Sequence, residues 1–254
     1  MKFKKCMAVI IVFMIFIGYK IYALKTNNVI HKGYDYSVTT FIKDDENNLS
    51  IEKGKTDDIE EPETIFTFNP LSEEIKDKIL GISFKENNNI KIEDLAYIQV
   101  TYWGFDDKEH VGELIVNKVV SEDVIEIFKE LYEAKFPIEK IRLIDDYNAN
   151  DELSMLDNNT SAFCYREIVG SKKISNHGYG VAIDINPVQN PYVKNNIVSP
   201  ESSREYLDRE NIRKGMIVKG DNCYNAFISR GWEWGGEWKS LKDYQHFEFK
   251  IPNN

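Results

Sequence analysis

Two short stretches carry the residue types that could do chemistry together. Ser175-Asn176-His177-Gly178-Tyr179-Gly180-Val181-Ala182-Ile183-Asp184-Ile185-Asn186 supplies an imidazole and a carboxylate, and Asp243-Tyr244-Gln245-His246-Phe247-Glu248 supplies a second imidazole and two more carboxylates. In the first, Val181, Ile183 and Ile185 share one face by the two-residue strand period, which leaves Asp184 on the other among small or polar neighbours. Gly178 and Gly180 permit a tight reversal that returns His177 toward Asp184. In the second, Phe247 and Phe249 alternate inward, so His246 and Glu248 share the opposite face. Two imidazoles and one carboxylate would then converge as metal ligands.

The elements that must position them are short. Ser72 begins a helical pattern through Ile75, Ile79 and Leu80, with Gly81 as its stop. Leu95 to Trp103 and Gly112 to Val120 are rich in β-branched and aromatic residues and read as two strands, with His110 as a solvated residue in the loop between them. Ser121 opens a helix whose face carries Val124, Ile127, Phe128, Leu131 and Tyr132, and Pro137 ends it. The Asn- and Asp-rich stretch from Asn148 to Ser161 reads as a long surface loop, a place where function often resides. Ala162-Phe163-Cys164-Tyr165-Arg166 then approaches the first stretch as a strand. Arg166 is suited either to a salt bridge or to a carboxylate or developing oxyanion beside a metal. Asp221 caps a helix carrying Tyr224, Phe227 and Ile228. The segment Trp232 to Trp238, with Trp234 at its Gly-Gly turn, either packs in the core or walls a cleft. The fold class is α+β: a small antiparallel sheet with flanking helices in a single domain.

Composition narrows the function classes. A chain of 254 residues with 42% hydrophobic content can bury one sizeable core, and a net charge of -10 argues against a nucleic-acid partner. Lys2, Lys4 and Lys5 precede an apolar run from Cys6 to Tyr19 that resumes after Lys20 as Ile21 to Leu24, the pattern of a membrane anchor or an export signal. Residues 25–70 are polar and acidic and read as a stalk, in which His31 has no chemical role; as a flexible chain it would reach roughly 35–40 Å. The folded domain is expected over 71–254, outside the cytoplasm, tethered to the outer face of the membrane or secreted. Cys164 and Cys223 would be buried thiols or, in an oxidising compartment, a pair.

The motif pair Ser175-x-His177-x-x-Gly180-x-Ala182-x-Asp184-x-Asn186 and Asp243-x-x-His246-Phe247-Glu248, the second after a Trp-Gly-Gly segment, resembles the zinc D-alanyl-D-alanine carboxypeptidase family, which includes the VanY-type and VanX-type peptidases and the endolysin L-alanyl-D-glutamate peptidases. The resemblance implies a zinc ion held by His177, Asp184 and His246. It also implies a catalytic base at Asp243, where many relatives carry Glu, and an arginine that steadies the scissile carbonyl, which maps to Arg166. Ser175 stands at the family's position beside the first histidine, and Asn186 and Glu248 are candidates for fixing the ligands, with Glu248 the reserve base. Three protein ligands with an open fourth position is the catalytic zinc pattern, whereas structural sites close all four, usually with Cys. The implied partner is a stem or cross-link peptide of bacterial peptidoglycan.

Two other classes share these residues. Two histidines and a carboxylate also make the facial triad of non-haem iron oxygenases, although export and the lack of a tight His-x-Asp pair count against that chemistry. A wall-binding module that has lost turnover would keep the fold, but would be expected to lack some of the ligands.

Overall fold

The structure, a computed structural model, describes residues 64–87, 89–168 and 170–251. Phe66–Pro70 (β1), Leu95–Trp103 (β2) and Glu109–Asn117 (β3) form an antiparallel sheet in the order β1-β2-β3. The expected domain boundary at residue 71 is corrected: Phe66 to Pro70 pair with Val100 to Ala96, so the fold already includes them. As an edge strand with a largely exposed side-chain pattern, β1 is held through its backbone and leaves little periodic signal. The anchor and most of the stalk lie outside the described residues; among the described residues no helix is long and apolar enough to cross a membrane.

Ser72 caps Glu73–Ile79 (α1), its side chain accepting from the Ile75 N–H, and Gly81 continues the chain at φ 78°. Ser121–Glu133 (α2) buries Val124, Ile127, Phe128 and Leu131 in one core with Ile98, Val100, Leu114 and Val116 of the sheet. Lys140–Ile141 (β4) and Asn159–Thr160 (β5) pair in parallel, and Asp151–Leu156 (α3) lies between them in sequence. The surface loop expected from Asn148 to Ser161 is therefore structured. Its Asn residues serve local geometry: Asn150 caps α3 by accepting from the Leu153 N–H at 3.0 Å, and Asn148 and Asn158 each adopt φ 53°. His110, expected in a loop, stands on β3 opposite Tyr102 and pairs with Asp106.

The second half of the chain builds two more three-stranded sheets from very short strands. Ala182–Asp184 (β6), Tyr192–Lys194 (β7) and Ile197–Ser199 (β8) come first. Asn222–Ile228 (α4), Glu233–Trp234 (β9), Lys242–Asp243 (β10) and His246–Glu248 (β11) follow. The sheet orders are β6-β11-β9 and β10-β7-β8. Such strands are too short to stand on ladder hydrogen bonds, and apolar packing holds them. Phe247 is fully buried and stacks on Phe227 of α4 at 3.9 Å between ring centroids, while Val181, Ile183 and Ile185 enter the same core. With mixed helices and small antiparallel sheets, the protein is α+β. Cys164 and Cys223 are buried free thiols, so they do not pair.

One glycine joins the two halves. Gly180 adopts φ 69°, its carbonyl accepts from the Asn117 N–H at 2.7 Å, and a Cβ there would come within 2.6 Å of that same nitrogen. Both the left-handed backbone and the close approach to β3 require the missing side chain. Gly180→Ala is expected to destabilise the protein by about 3 kcal/mol, combining strain and overpacking. Chemical denaturation checks this, and an unchanged midpoint would contradict the close approach.

Candidate metal centre

The register of β6 and β11 brings the two half-sites together, because His246 pairs directly with Asp184 across the ladder. Facing residues in an antiparallel pair project to the same side. His177 reaches them from the short turn Asn176–Tyr179, which Ser175 caps by accepting from the His177 N–H at 3.4 Å. Ser175 thus supports the turn that carries His177 and is not recorded in contact with the ring.

His177, Asp184 and His246 are all buried, and one donor atom from each lies within 4.8 Å of the others. His177 Nε2 is 3.2 Å from His246 Nδ1 and 3.2 Å from Asp184 Oδ2, and His246 Nδ1 is 2.8 Å from Asp184 Oδ1. Donors at ~2.0–2.1 Å on a tetrahedron stand roughly 3.3 Å apart, so this donor set fits a zinc-sized cation with little movement. Each ring also spends its other nitrogen. His177 Nδ1 is 2.6 Å from the Ala162 carbonyl, an acceptor only, so that nitrogen carries the proton and Nε2 is left with its lone pair. His246 Nε2 is 3.1 Å from Glu248 Oε2.

The electrostatics favour a cation. Burial opposes charge on Asp184, yet His177 and His246 hold its carboxyl well below the usual carboxylate range. Burial likewise opposes charge on His246, but its hydrogen bonds to Asp184 and Glu248 raise it to about 10. Two carboxylates around a buried imidazole are thus arranged to keep a positive charge.

Asp243, on β10, is close enough for the charges of His246, Asp184 and His177 to act on it. Its Oδ1 is buried with no hydrogen-bond partner, and burial, with the Asp184 charge adding, pushes the carboxyl up to about 7. Tyr192 of β7 faces Asp243 across the ladder, and burial together with the Asp243 charge raises its phenol. Arg166 lies close enough to feel Asp184; its Nη2 donates to Asp151 Oδ2 at 2.7 Å, and its Nε is buried without a partner. The salt-bridge and site readings of Arg166 therefore coexist, with α3 supplying the carboxylate.

Two expected contributors lie elsewhere. Asn186, at φ 47°, donates through Nδ2 to the carbonyls of Pro137 and Gly215 and accepts from the Glu139 N–H, so it fastens loops and makes no recorded contact with the ligands. Trp234 is buried in the core, donating from its indole to the Tyr244 carbonyl; the indole beside the centre is Trp238, 5.3 Å from the His246 ring. Asp151 and Tyr192 escaped the sequence reading, which named Trp238 only within its tryptophan segment. Trp238 alone had a signal, as the third indole of its segment.

Residues 169–249 match the model of the D-alanyl-D-alanine carboxypeptidase family. The match supports the family resemblance read from the motif pair. The matched segment holds both half-sites and Asp243, whereas Arg166 lies just before it, so the arginine rests on its geometry. No solved structure matches this chain. The match to this carboxypeptidase family supports a peptidase, and the buried His-Asp-His group can hold a metal.

The raised Asp243 carboxyl has a measurable sign. A folded-state value near 7 against an unfolded value near 4 means that ionising Asp243 costs the metal-free protein stability, progressively as pH rises from ~4 to ~7 and fully above that. Asp243→Asn should therefore stabilise the metal-free protein at pH 8, with the gain gone at pH 4. Urea melts at the two pH values test this, and an equal effect at both would rule out a raised carboxyl.

Proposed function

We propose that this protein is a zinc peptidase acting on the peptides of bacterial peptidoglycan, of the D-alanyl-D-alanine carboxypeptidase or L-alanyl-D-glutamate endopeptidase type. The convergence of His177, Asp184 and His246 within 4.8 Å carries the reading. His177 Nε2, His246 Nδ1 and an Asp184 oxygen would hold the ion. One zinc ion supplies Lewis acidity, lowering the pKa of water to about 7 and polarising the amide carbonyl.

The protein's own groups complete the hydrolysis. Asp243 takes a proton from the attacking water and returns it to the departing amine nitrogen as the carbon–nitrogen bond breaks. Its raised carboxyl and unengaged Oδ1 suit a group that must accept and release a proton near neutral pH. The positive charge of a bound ion draws that value down, which keeps the base ionised at pH 7. Arg166, held by Asp151, offsets negative charge on the carbonyl oxygen, a contribution of about 3 kcal/mol by comparison with other oxyanion donors. The buried, unengaged Asp243 oxygen favours turnover over a wall module that only binds.

The N-terminal pattern of Lys2, Lys4 and Lys5 before an apolar run supports a tether or an export signal that places this domain at the wall. An acidic chain has no call for a nucleic-acid partner.

Elemental analysis of the full-length protein should give about one zinc per chain, and mass spectrometry of digested peptidoglycan should show a released D-alanine or stem peptide. His177→Ala and His246→Ala should lose metal and activity together, while Asp243→Ala keeps metal and loses turnover by about 10²–10⁴-fold. Zinc with intact peptidoglycan would remove the substrate assignment. An active Asp243→Ala enzyme would remove the base.

A further inference from the structure

We propose that Asn176 and Glu248 form a positioning relay that fixes the second histidine of the metal centre and ties it to the first. The inference rests on the metal-binding reading above. Asn176 Nδ2 donates to Glu248 Oε2 at 2.7 Å, and the same oxygen lies 3.1 Å from His246 Nε2. An ionised carboxylate only accepts, so His246 carries its proton on Nε2 and presents Nδ1 to the centre. That nitrogen is the one facing Asp184 and His177.

The two rings are fixed in the same way but by different means. A backbone carbonyl, that of Ala162, sets His177, and a carboxylate that could itself swing away sets His246. Asn176 stops that swing. It stands directly before His177 on the same turn, so its bond to Glu248 spans 72 residues and links the two half-sites side chain to side chain. A carboxylate held on both sides makes the ring a better-aimed and more basic ligand. Glu248 also lies on the far side of the His246 ring from Asp184, which makes it a positioning residue and takes it out of consideration as the base. The fastening role expected of Asn186 falls instead to Asn176.

The test is zinc affinity of the full-length protein, by competition with a chromophoric chelator, together with the visible spectrum of its cobalt-loaded form. Asn176→Ala and Glu248→Ala should each weaken zinc binding about 10–100-fold and shift the cobalt bands. The double variant should bind no more weakly than Glu248→Ala alone, as members of one relay do. Asn176→Asp leaves no cavity yet sets two carboxylates against each other, so it should match Asn176→Ala even where truncation disturbs the fold. Glu248→Gln, whose amide oxygen still accepts from Nε2–H, should retain zinc more tightly than Glu248→Ala. Wild-type affinity in Asn176→Asp and Glu248→Ala would overturn the relay while leaving the peptidase reading intact. A Glu248→Gln enzyme that holds zinc but has no turnover would make Glu248 the base and also overturn the relay. A wild-type protein that binds no zinc would overturn both readings.

Discussion

Everything in the second half of the chain serves one costly act, the burial of two imidazoles and a carboxylate within hydrogen-bond distance of one another. Removing a carboxylate from water is strongly unfavourable unless charge and hydrogen bonds compensate. Here Asp184 is compensated by both histidines, and each histidine by a further acceptor, Ala162 or Glu248. The donor separations of 2.8–3.2 Å reflect that mutual compensation. A preassembled set of this kind lets metal affinity go into holding the ion rather than into collecting its ligands.

Such an arrangement needs a rigid frame, and strands of two or three residues cannot provide one alone. The frame comes from three sources. Apolar packing under the ladder, led by the Phe227–Phe247 stack, fixes β11 from below. The contact of Gly180 with β3 fixes the turn bearing His177 to the larger sheet. A buried polar network fixes the long excursion between β6 and α4: Arg209 donates to the Gln189 and Ile217 carbonyls and to Asn190 Oδ1, while its guanidinium lies 4.3 Å over the Tyr244 ring. Tyr244 separates Asp243 from Gln245 in the chain, so that network bears on the placement of Asp243.

The parts legible in the sequence were those written in local pattern. The long strands β2 and β3, the helix α2 with its apolar face, and the caps Ser72 and Asp221 follow from periodicity and side-chain chemistry within a few residues. The convergence of the two half-sites was expected because alternation placed Asp184 and His246 each opposite an apolar face, and the β6–β11 register brings them together. What stayed hidden depends on contacts between distant segments. The edge strand β1 shows almost no buried pattern, and α3 was masked by the Asn and Asp residues that start and stop it. Asn186 and Trp234 have the right neighbours in sequence but point into loop junctions and core, whereas Asn176 and Trp238, equally plain in sequence, reach the centre only because of how the strands cross.

Unengaged buried polar atoms occur both in the scaffold and near the His-Asp-His group. Ser83 and Asp145 complete two hydrogen bonds with each other where α1 meets the turn after β4, and Asn159 bridges Arg142 to Ser154, so these two buried polar clusters of the scaffold are paired. Asp243 Oδ1, Gln245 Oε1 and Arg166 Nε are buried without partners, as are Trp103 Nε1, Trp232 Nε1 and Arg213 Nε elsewhere in the fold. An unpaired buried group costs roughly 1–3 kcal/mol, so three beside one centre are a standing expense that packing elsewhere must offset. Two are acceptors and one is a donor. A peptide bond presents both an N–H and a carbonyl, and it is the ligand chemistry that would satisfy both kinds at once.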